Sequence, residues 1–402
     1  MNIVQLNATY KVGSTGKIAS GINDVIYKSG SNGYIISGYY YEDPNDNLYF
    51  TSHNNPFWEI RKNILISRIT GTMGYRYINR TKEALQWMDK KNPDIIHLHN
   101  IHGDWIHIET LFDYIKEKKK PVVWTLHDCW AFTGRCSYFE LCGCDKWKSQ
   151  CHDCSNTRVF PITYFFDKSQ RMFLDKKKWF AGIENMTIVT PSEWLACLVR
   201  QSFLKDYPVK VINNGIDLNV FKPTESDFRN HYGLVDKKVV LGVAFGWGER
   251  KGLDVFIELS KRLPENYRII LVGTDKHVEA MLPENIISIH RTENQKKLAE
   301  IYTTADVFVN PTREENYPTV NMESIACGTP VVTFKTGGSP EILDETSGSI
   351  VPRNDIDSME MEIRHICEEK PYSREACVAH SRVFDMHARF LKYMALYKSI
   401  GG

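Results

Sequence analysis

Nowhere in the 402 residues do about eighteen apolar side chains run together, which speaks against a membrane-spanning helix. The opening MNIVQLNATYKV alternates apolar and polar residues and lacks the basic flank and continuous apolar core of a secretory leader. A cytoplasmic protein is the expectation. Charge of one sign is missing too: 50 basic side chains stand against 49 acidic ones, a formal net charge of +1, so no chain-wide field draws in nucleic acid. Any anionic ligand must be met locally. Low-complexity segments and short-period repeats are also lacking, so neither a disordered tail nor a solenoid is in view.

What is there matches a soluble enzyme, with 42% hydrophobic, 12% aromatic and 25% charged residues. The length exceeds what one compact core usually holds and points to two domains. Ten cysteines would suit a disulfide-stapled secreted chain. Six of them (Cys129, Cys136, Cys142, Cys144, Cys151 and Cys154) crowd a single segment, which makes them a local feature.

The runs NIVQL, GYIISGY, DIIHLH, VVWTLH, MTIVTP and VKVINNG read as strands alternating with helical patterns. The polar, turn-rich NNGIDLNVFKPTESD then reads as a domain connection. A second series follows, KVVLGVAFG, RIILVG, IISIH, DVFVNPT and PVVTF, separated by helical stretches such as KGLDVFIELSKRL and NQKKLAEIYTTA. The fold class is α/β, in two successive units with mainly parallel sheets. Expected boundaries are 1–206, carrying a cysteine-rich insertion at 129–154, then 207–382, then a helical tail at 383–402.

Ligands of open parallel sheets bind beyond the carboxyl ends of the strands, so residues just after each strand carry the information. After the first strand, Gly13 and Gly16 bracket Ser14 and Thr15 where a helix begins, and free N–H groups there suit a phosphate. A tight turn alone would look the same. The pattern is neither G-x-G-x-x-G nor a phosphate-binding G-x-x-x-x-G-K-[ST] loop, which disfavours a dinucleotide enzyme or a P-loop kinase. In TFKTGGSPEIL, Gly337 and Gly338 form a second such turn, with Ser339 suited to a helix N-cap and Pro340 to the first helical position. In GWGERKGLD, Arg250 and Lys251 open a loop after a strand, where a guanidinium fork and an ammonium can meet phosphate; solvated surface is the other reading.

ENYPTVNMESIACGTPVV holds Glu315 in a loop and Glu323 on a helix that starts near Pro318 and ends at Gly328. Eight helical steps would span about 12 Å, beyond the roughly 5 to 9.5 Å between paired glycosidase carboxylates. Two separate jobs on a hydroxyl-rich ligand suit the spacing better, while a plain surface role for Glu323 stays open.

This segment resembles the E-x7-E signature of family-four retaining glycosyltransferases of the GT-B fold. The likeness continues through CGTPVV and GGSPEIL, and NGIDLNVF, RKG and GSTG resemble that family's interdomain segment, basic motif and N-terminal glycine loop. The resemblance implies two Rossmann-like domains facing across a cleft, with the C-terminal helix returning to the first. It implies that Glu315 contacts the donor hexose, Glu323 the ribose hydroxyls and Lys251 the diphosphate. Gly16 would admit the diphosphate from the other domain, and Gly337, Gly338 and Ser339 would lie near the transferred sugar. Many members carry Gly-Arg a few residues before the lysine; here FGW stands there, and Arg250 is the expected substitute cation.

His97 and His99 share one face of a strand, and His127 ends VVWTLHD. By resemblance to the family's T-x-H-D strand end, His127 is the first choice for contact with the reacting sugar. His99 is the second and lies with Asp128 on the acceptor side; Asp128 orients His127 or its loop, and His97 is structural. The implied chemistry is front-face displacement without a lasting covalent sugar, in which the leaving diphosphate helps deprotonate the acceptor. Lys251, Arg250 and helix N-termini would hold the departing charge. No D-x-D-like pair stands at a strand end, so no catalytic metal is expected.

Cys151-x-x-Cys154 has half of a zinc spacing, and Cys136 with Cys144 (or Cys142) could complete it. Structural zinc leads over reduced thiols and disulfides. The segments FWEIRKNILISRITGTMGYRYINRTK and FFDKSQRMFLDKKKWF mix basic and aromatic residues, as an anionic lipid surface would want and as a solvated helix with one packed face would also show. The leading expectation is a glycosyltransferase moving a hexose or N-acetylhexosamine from a nucleotide sugar, UDP before GDP, to a glycan in surface polysaccharide assembly such as O-antigen or capsule. The acceptor is then a lipid-linked oligosaccharide at the inner face of the plasma membrane. The rivals are a nucleotide-sugar epimerase or a glycan phosphorylase of the same fold, the latter weakened by the lack of a recognisable pyridoxal-phosphate site, and a non-catalytic, zinc-stabilised glycan- or nucleotide-binding protein.

Overall fold

The computed structural model describes residues 1–39, 48–50 and 57–401. Two compact units emerge, one of Met1–Asn213 with Arg389–Gly402, the other of Asn214–Ala388. The first holds a sheet of β1 (Asn2–Asn7), β2 (Asn32–Ser37), β3 (Leu48–Phe50), β4 (Ile95–Leu98), β5 (Val122–Thr125), β6 (Met186–Thr190) and β7 (Val209–Val211). Their order is β3-β2-β1-β4-β5-β6-β7. Every pairing is parallel, and Val4 of β1 faces Tyr34 on one side and Ile96 on the other. Strands covered on both faces read as continuous apolar runs, which is why Ile95–Leu98 and Val122–Thr125 are buried throughout.

The second unit repeats the plan with β8 (Lys238–Val243), β9 (Tyr267–Val272), β10 (Ile286–Ile289), β11 (Val307–Asn310), β12 (Val331–Phe334) and β13 (Gly348–Val351), again all parallel. Their order is β10-β9-β8-β11-β12-β13. In each sheet the strand order reverses once, between β1 and β4 and between β8 and β11. Those switch points open crevices at the strand carboxyl ends, and the loops that follow these four strands carry most of the candidate site.

The first unit runs past the expected 206 because β7 pairs with β6, Val189 facing Lys210. Its returning tail starts at Arg389, not 383: Ile216 bridges to Asp385 and its N–H donates to the Phe384 carbonyl at 2.9 Å, which ties 384–385 to the second unit. The helix Met386–Ile400 brings Tyr393 and Tyr397, both fully buried, onto the first sheet. β3 and β13 were not anticipated. β3 is three residues long, and β13 (GSIV) is too short to show a period.

Residues 129–154 form turns around a small aromatic core. Trp147 packs against Phe132 and Phe139 at centroid distances of 5.3 and 5.0 Å. No helix among the described residues is long and apolar enough to cross a membrane.

Candidate active site

In the second unit, β8 leads into a loop that closes in the turn Glu249–Lys251 and the helix Leu253–Arg262. Gly252 sits at φ +72°, where a Cβ would lie 2.5 Å from the carbonyl oxygen of Pro311, so only glycine lets this loop meet the one after β11. Arg313 clamps the two loops. Its guanidinium holds both Asp254 carboxylate oxygens at 2.7 and 2.6 Å, the Glu249 carbonyl at 2.5 Å and Asn354 Oδ1 at 2.6 Å.

The clamp delivers Lys251 Nζ to 2.5 Å from Glu315 Oε2. Burial alone would push the Glu315 carboxyl up, yet Lys251, then Arg250 and the Asn316 N–H hold it below the ordinary carboxylate value. Arg250 also donates to the Glu314 carbonyl at 3.1 Å. Lys251, Arg250 and Glu315 are therefore one charged cluster.

Gly337, at φ +53°, presses on the backbone of Glu315, and the Gly338 N–H donates to the Asn316 carbonyl at 2.8 Å. Ser339 is the first residue of a four-residue 3-10 turn with Gly338 as its cap, so the expected N-cap role is corrected: the turn is too short to carry a full helix dipole. Among the described residues the buried hydroxyls of Ser339 and Thr336 have no hydrogen-bond partner. Glu323 lies in the helix Thr319–Ala326, where the buried Tyr302 hydroxyl donates to its Oε2 at 3.2 Å.

In the first unit the helix after β1 spans Gly13–Lys28, and the Gly16 carbonyl accepts from the Lys11 N–H at 3.1 Å. A Cβ on Gly16 would lie 2.9 Å from Thr9 Oγ1 and 3.3 Å from the Lys11 nitrogen. The helix tip and the glycine loop are packed together.

β1, β4 and β5 align a row of polar groups. Gln5 Oε1 lies 3.0 Å from His99 Nε2, and His99 Nδ1 lies 3.1 Å from His127 Nε2. Burial draws the His127 imidazole down to about 4 and His99 well below its usual value, so both are neutral at pH 7. Asp128 bonds His102 Nε2 at 3.0 Å and the Trp130 N–H at 2.8 Å. Burial opposes its ionisation, and His102 and Trp130 override that and keep its carboxyl below the ordinary value. Asp128 thus anchors the loop that follows His127. His97 turns to Thr125 Oγ1 at 2.8 Å and the Tyr397 hydroxyl at 2.6 Å.

The tetrathiolate expected from Cys136, Cys144, Cys151 and Cys154 is corrected. Among the described residues no three His, Cys, Asp or Glu side chains are arranged to hold a metal ion. Cys136 and Cys154 are free and hydrogen-bond each other, which pushes Cys136 up and Cys154 down, the latter helped by the Asn156 N–H and then by Arg135. Cys151 Sγ instead accepts from the Gly134 N–H at 3.1 Å, and the thiol of Cys142 donates to the Phe139 carbonyl at 3.2 Å.

The two basic, aromatic segments divide. Phe173, Trp179 and Phe180 of the helix Ser169–Phe180 are buried, as is Lys176, whose ammonium donates to the Trp130 carbonyl at 2.5 Å. Those residues serve the core. Tyr164, Phe165 and Phe166 are exposed, with Phe165 73% accessible, and so are Trp58, Leu65 and Ile69 of the helix Phe57–Thr70. The Tyr164 N–H donates to the Arg68 carbonyl at 2.8 Å, which sets the exposed aromatics 164–166 beside the C-terminal end of that helix. The side chain of Phe57, first in its segment, lies outside the described residues.

Family models match both units: "Glycosyltransferase Family 4" over residues 59–220 and "Glycosyl transferases group 1" over residues 225–382. The chain is a family-four glycosyltransferase of the GT-B fold. The transferase is 22% identical over 370 residues to WcaC of Escherichia coli (strain K12), named for colanic acid biosynthesis, covering 89% of this chain and 88% of that one. Its fold is shared with sucrose-phosphate synthase from Thermosynechococcus elongatus, at TM-score 0.72 and 16% identity, covering 99% and 98% of the two chains. Anabaena HepE in complex with UDP-glucose aligns at TM-score 0.64 and 14% identity, over 99% and 100%.

Gln5, His102, Tyr302 and Arg313 do not stand out in the sequence. Gln5 was detectable as the one polar residue inside the apolar run IVQL, and Arg313 as a basic residue just past a strand end. The other two depend on tertiary contacts.

Proposed function

We propose that this glycosyltransferase is a retaining enzyme that moves a hexose or N-acetylhexosamine from a nucleotide sugar, a UDP-sugar before a GDP-sugar, to a growing surface polysaccharide. The Lys251–Glu315 pair carries this reading, because it sets a cation and a sugar-binding carboxylate side by side at a switch point. Lys251, aided by Arg250, offsets the charge that builds on the departing diphosphate, where preorganised cations act most strongly. Glu315 accepts from a donor-sugar hydroxyl and Glu323 from the ribose. Gly337, Gly338 and Ser339 face the transferred sugar. From the first unit, Gly16 lets the backbone approach the diphosphate, His127 contacts the reacting sugar, and His99 and Asp128 serve the acceptor side.

The acceptor hydroxyl attacks the anomeric carbon from the face that the diphosphate leaves. The leaving phosphate oxygen takes the acceptor proton, and no catalytic metal is required. The HepE complex with UDP-glucose supports a uridine donor, and the WcaC likeness supports polysaccharide assembly. The exposed aromatic patch beside Arg68 and Lys168 supports a lipid-linked acceptor and peripheral contact with an anionic membrane.

A thermal-shift panel of UDP, GDP, ADP and their sugar conjugates, on wild type and Glu323→Ala, tests the donor assignment. One nucleotide series should stabilise the wild type and lose its effect in the variant; no response to any nucleotide rejects the site map. Proton NMR of the product should show the anomeric configuration of the donor retained. Flotation with anionic vesicles should carry the protein upward, and its absence removes the membrane contact.

A further inference from the structure

The polar row across β1, β4 and β5 has a direction, and backbone fixes it. Gln5 is fully buried, and its Nε2 lies 3.1 Å from the Ala19 carbonyl and 3.3 Å from Asn23 Oδ1. A backbone carbonyl can only accept, so the Gln5 amide has its nitrogen toward Ala19 and its oxygen toward His99. Oε1 is also only an acceptor. The hydrogen bond at 3.0 Å therefore requires a proton on His99 Nε2.

A neutral imidazole carries one proton, so His99 Nδ1 presents a lone pair. That lone pair faces His127 Nε2 at 3.1 Å, and the bond exists only if His127 Nε2 bears the hydrogen. The rings of His99 and His127 are nearly parallel, 16° apart. His97, with its centroid 4.0 Å from that of His99, directs its nitrogens to Thr125 and Tyr397 and leaves the row undisturbed. His127 is partly exposed while Gln5 and His99 are buried.

We propose that Gln5 is a positioning residue: through His99 it holds His127 with its proton on Nε2 and its lone pair on Nδ1. This rests on the reading of His127 as a contact to the reacting sugar and says which nitrogen can accept from a substrate hydroxyl. A helix carbonyl, a glutamine and a buried histidine choose the tautomer before substrate arrives, so no reaction step spends energy on choosing it.

The test is a nitrogen-15 spectrum of the full-length protein labelled at histidine, in wild type, Gln5→Met and His99→Phe. Wild-type His127 should show protonated Nε2 and unprotonated Nδ1. Both variants should show a mixture of tautomers, with kcat lower by about tenfold or more and donor KM little changed. A structural role for Gln5 would lower thermal stability while leaving the His127 signals as they are, and that result overturns the proposal. So does a wild-type spectrum with the proton on Nδ1, which needs no variant to fold. A His127→Ala enzyme as active as wild type would overturn the catalytic reading of His127 instead, whichever tautomer the spectra record.

Discussion

A Cβ on Gly337 would sit 1.7 Å from the carbonyl oxygen of Glu315. No side chain fits there, and φ of +53° disfavours any residue that has one. The turn after β12 is thus a template for the loop that holds Glu315. Gly337→Ala should shift that loop and destabilise the second unit by about 1–3 kcal/mol, the usual range for overpacking. Donor KM should rise with it. Urea unfolding together with donor titration measures both, and unchanged affinity in a destabilised variant would separate the glycine from the site.

Lys251 and Glu315 are mostly shielded from water, with side-chain accessibilities of 17% and 16%. Taking away one partner strands the other, so Lys251→Ala and Glu315→Ala should each lower kcat/KM about 100- to 1000-fold, the scale of losing a donor to developing charge. Residues in contact are not additive, and the double variant should lose less than the product of the two single losses. Additive losses would mean that the two side chains serve the donor independently. The pair also sets a pH window. Glu315 has a lowered pKa in the fold, so its contribution to stability is complete above the unfolded carboxylate value, near pH 4.3, and is lost as pH falls through the lower folded value.

The parallel sheets were legible in the sequence because strands buried on both faces leave short, mostly apolar runs, as in IIHL and VVWT. Glu315, Lys251 and the glycine pair were legible because strand-end loops hold little else with chemistry. Gln5 escaped notice since its role appears only when β1 lies beside β4, 94 residues away from His99 in sequence. Arg313 escaped since its partners Asp254 and Asn354 come from the first turn of a helix and from a turn far away in sequence. The cysteines misled: a C-x-x-C spacing states which thiols are near in sequence, whereas in the fold Cys136 pairs with Cys154 by a hydrogen bond and no metal-holding group forms among the described residues.

Tyr397 fastens the returning helix by its hydroxyl, 2.6 Å from His97 Nδ1, and Tyr393 adds a bond to Thr125 Oγ1 at 3.1 Å. Tyr397→Phe removes one hydrogen-bonding group and leaves a fully buried ring nitrogen unmet, at a cost of about 1–3 kcal/mol. Tyr393→Phe should cost less, about 0.5–1.5 kcal/mol, because Thr125 keeps His97 as a partner. Chemical denaturation of both variants checks the order. A larger loss for Tyr393→Phe would place the main latch at Thr125.

Burial keeps His97, His99 and His127 uncharged in the fold, with His127 drawn down to about 4. In the unfolded chain each takes a proton near pH 6.5. Between those values the unfolded state binds more protons than the folded one, so stability rises with pH, is complete above about 6.5 and declines below it. Each such histidine adds a slope of up to about 1.4 kcal/mol per pH unit. Lowering the pH from 7.5 to 5.5 should therefore bring the urea midpoint down steeply. His127→Gln removes one titrating group and should flatten that dependence by the share of one histidine. A midpoint that does not move over this range would mean that the three rings accept protons as readily in the fold as outside it, and would overturn this account.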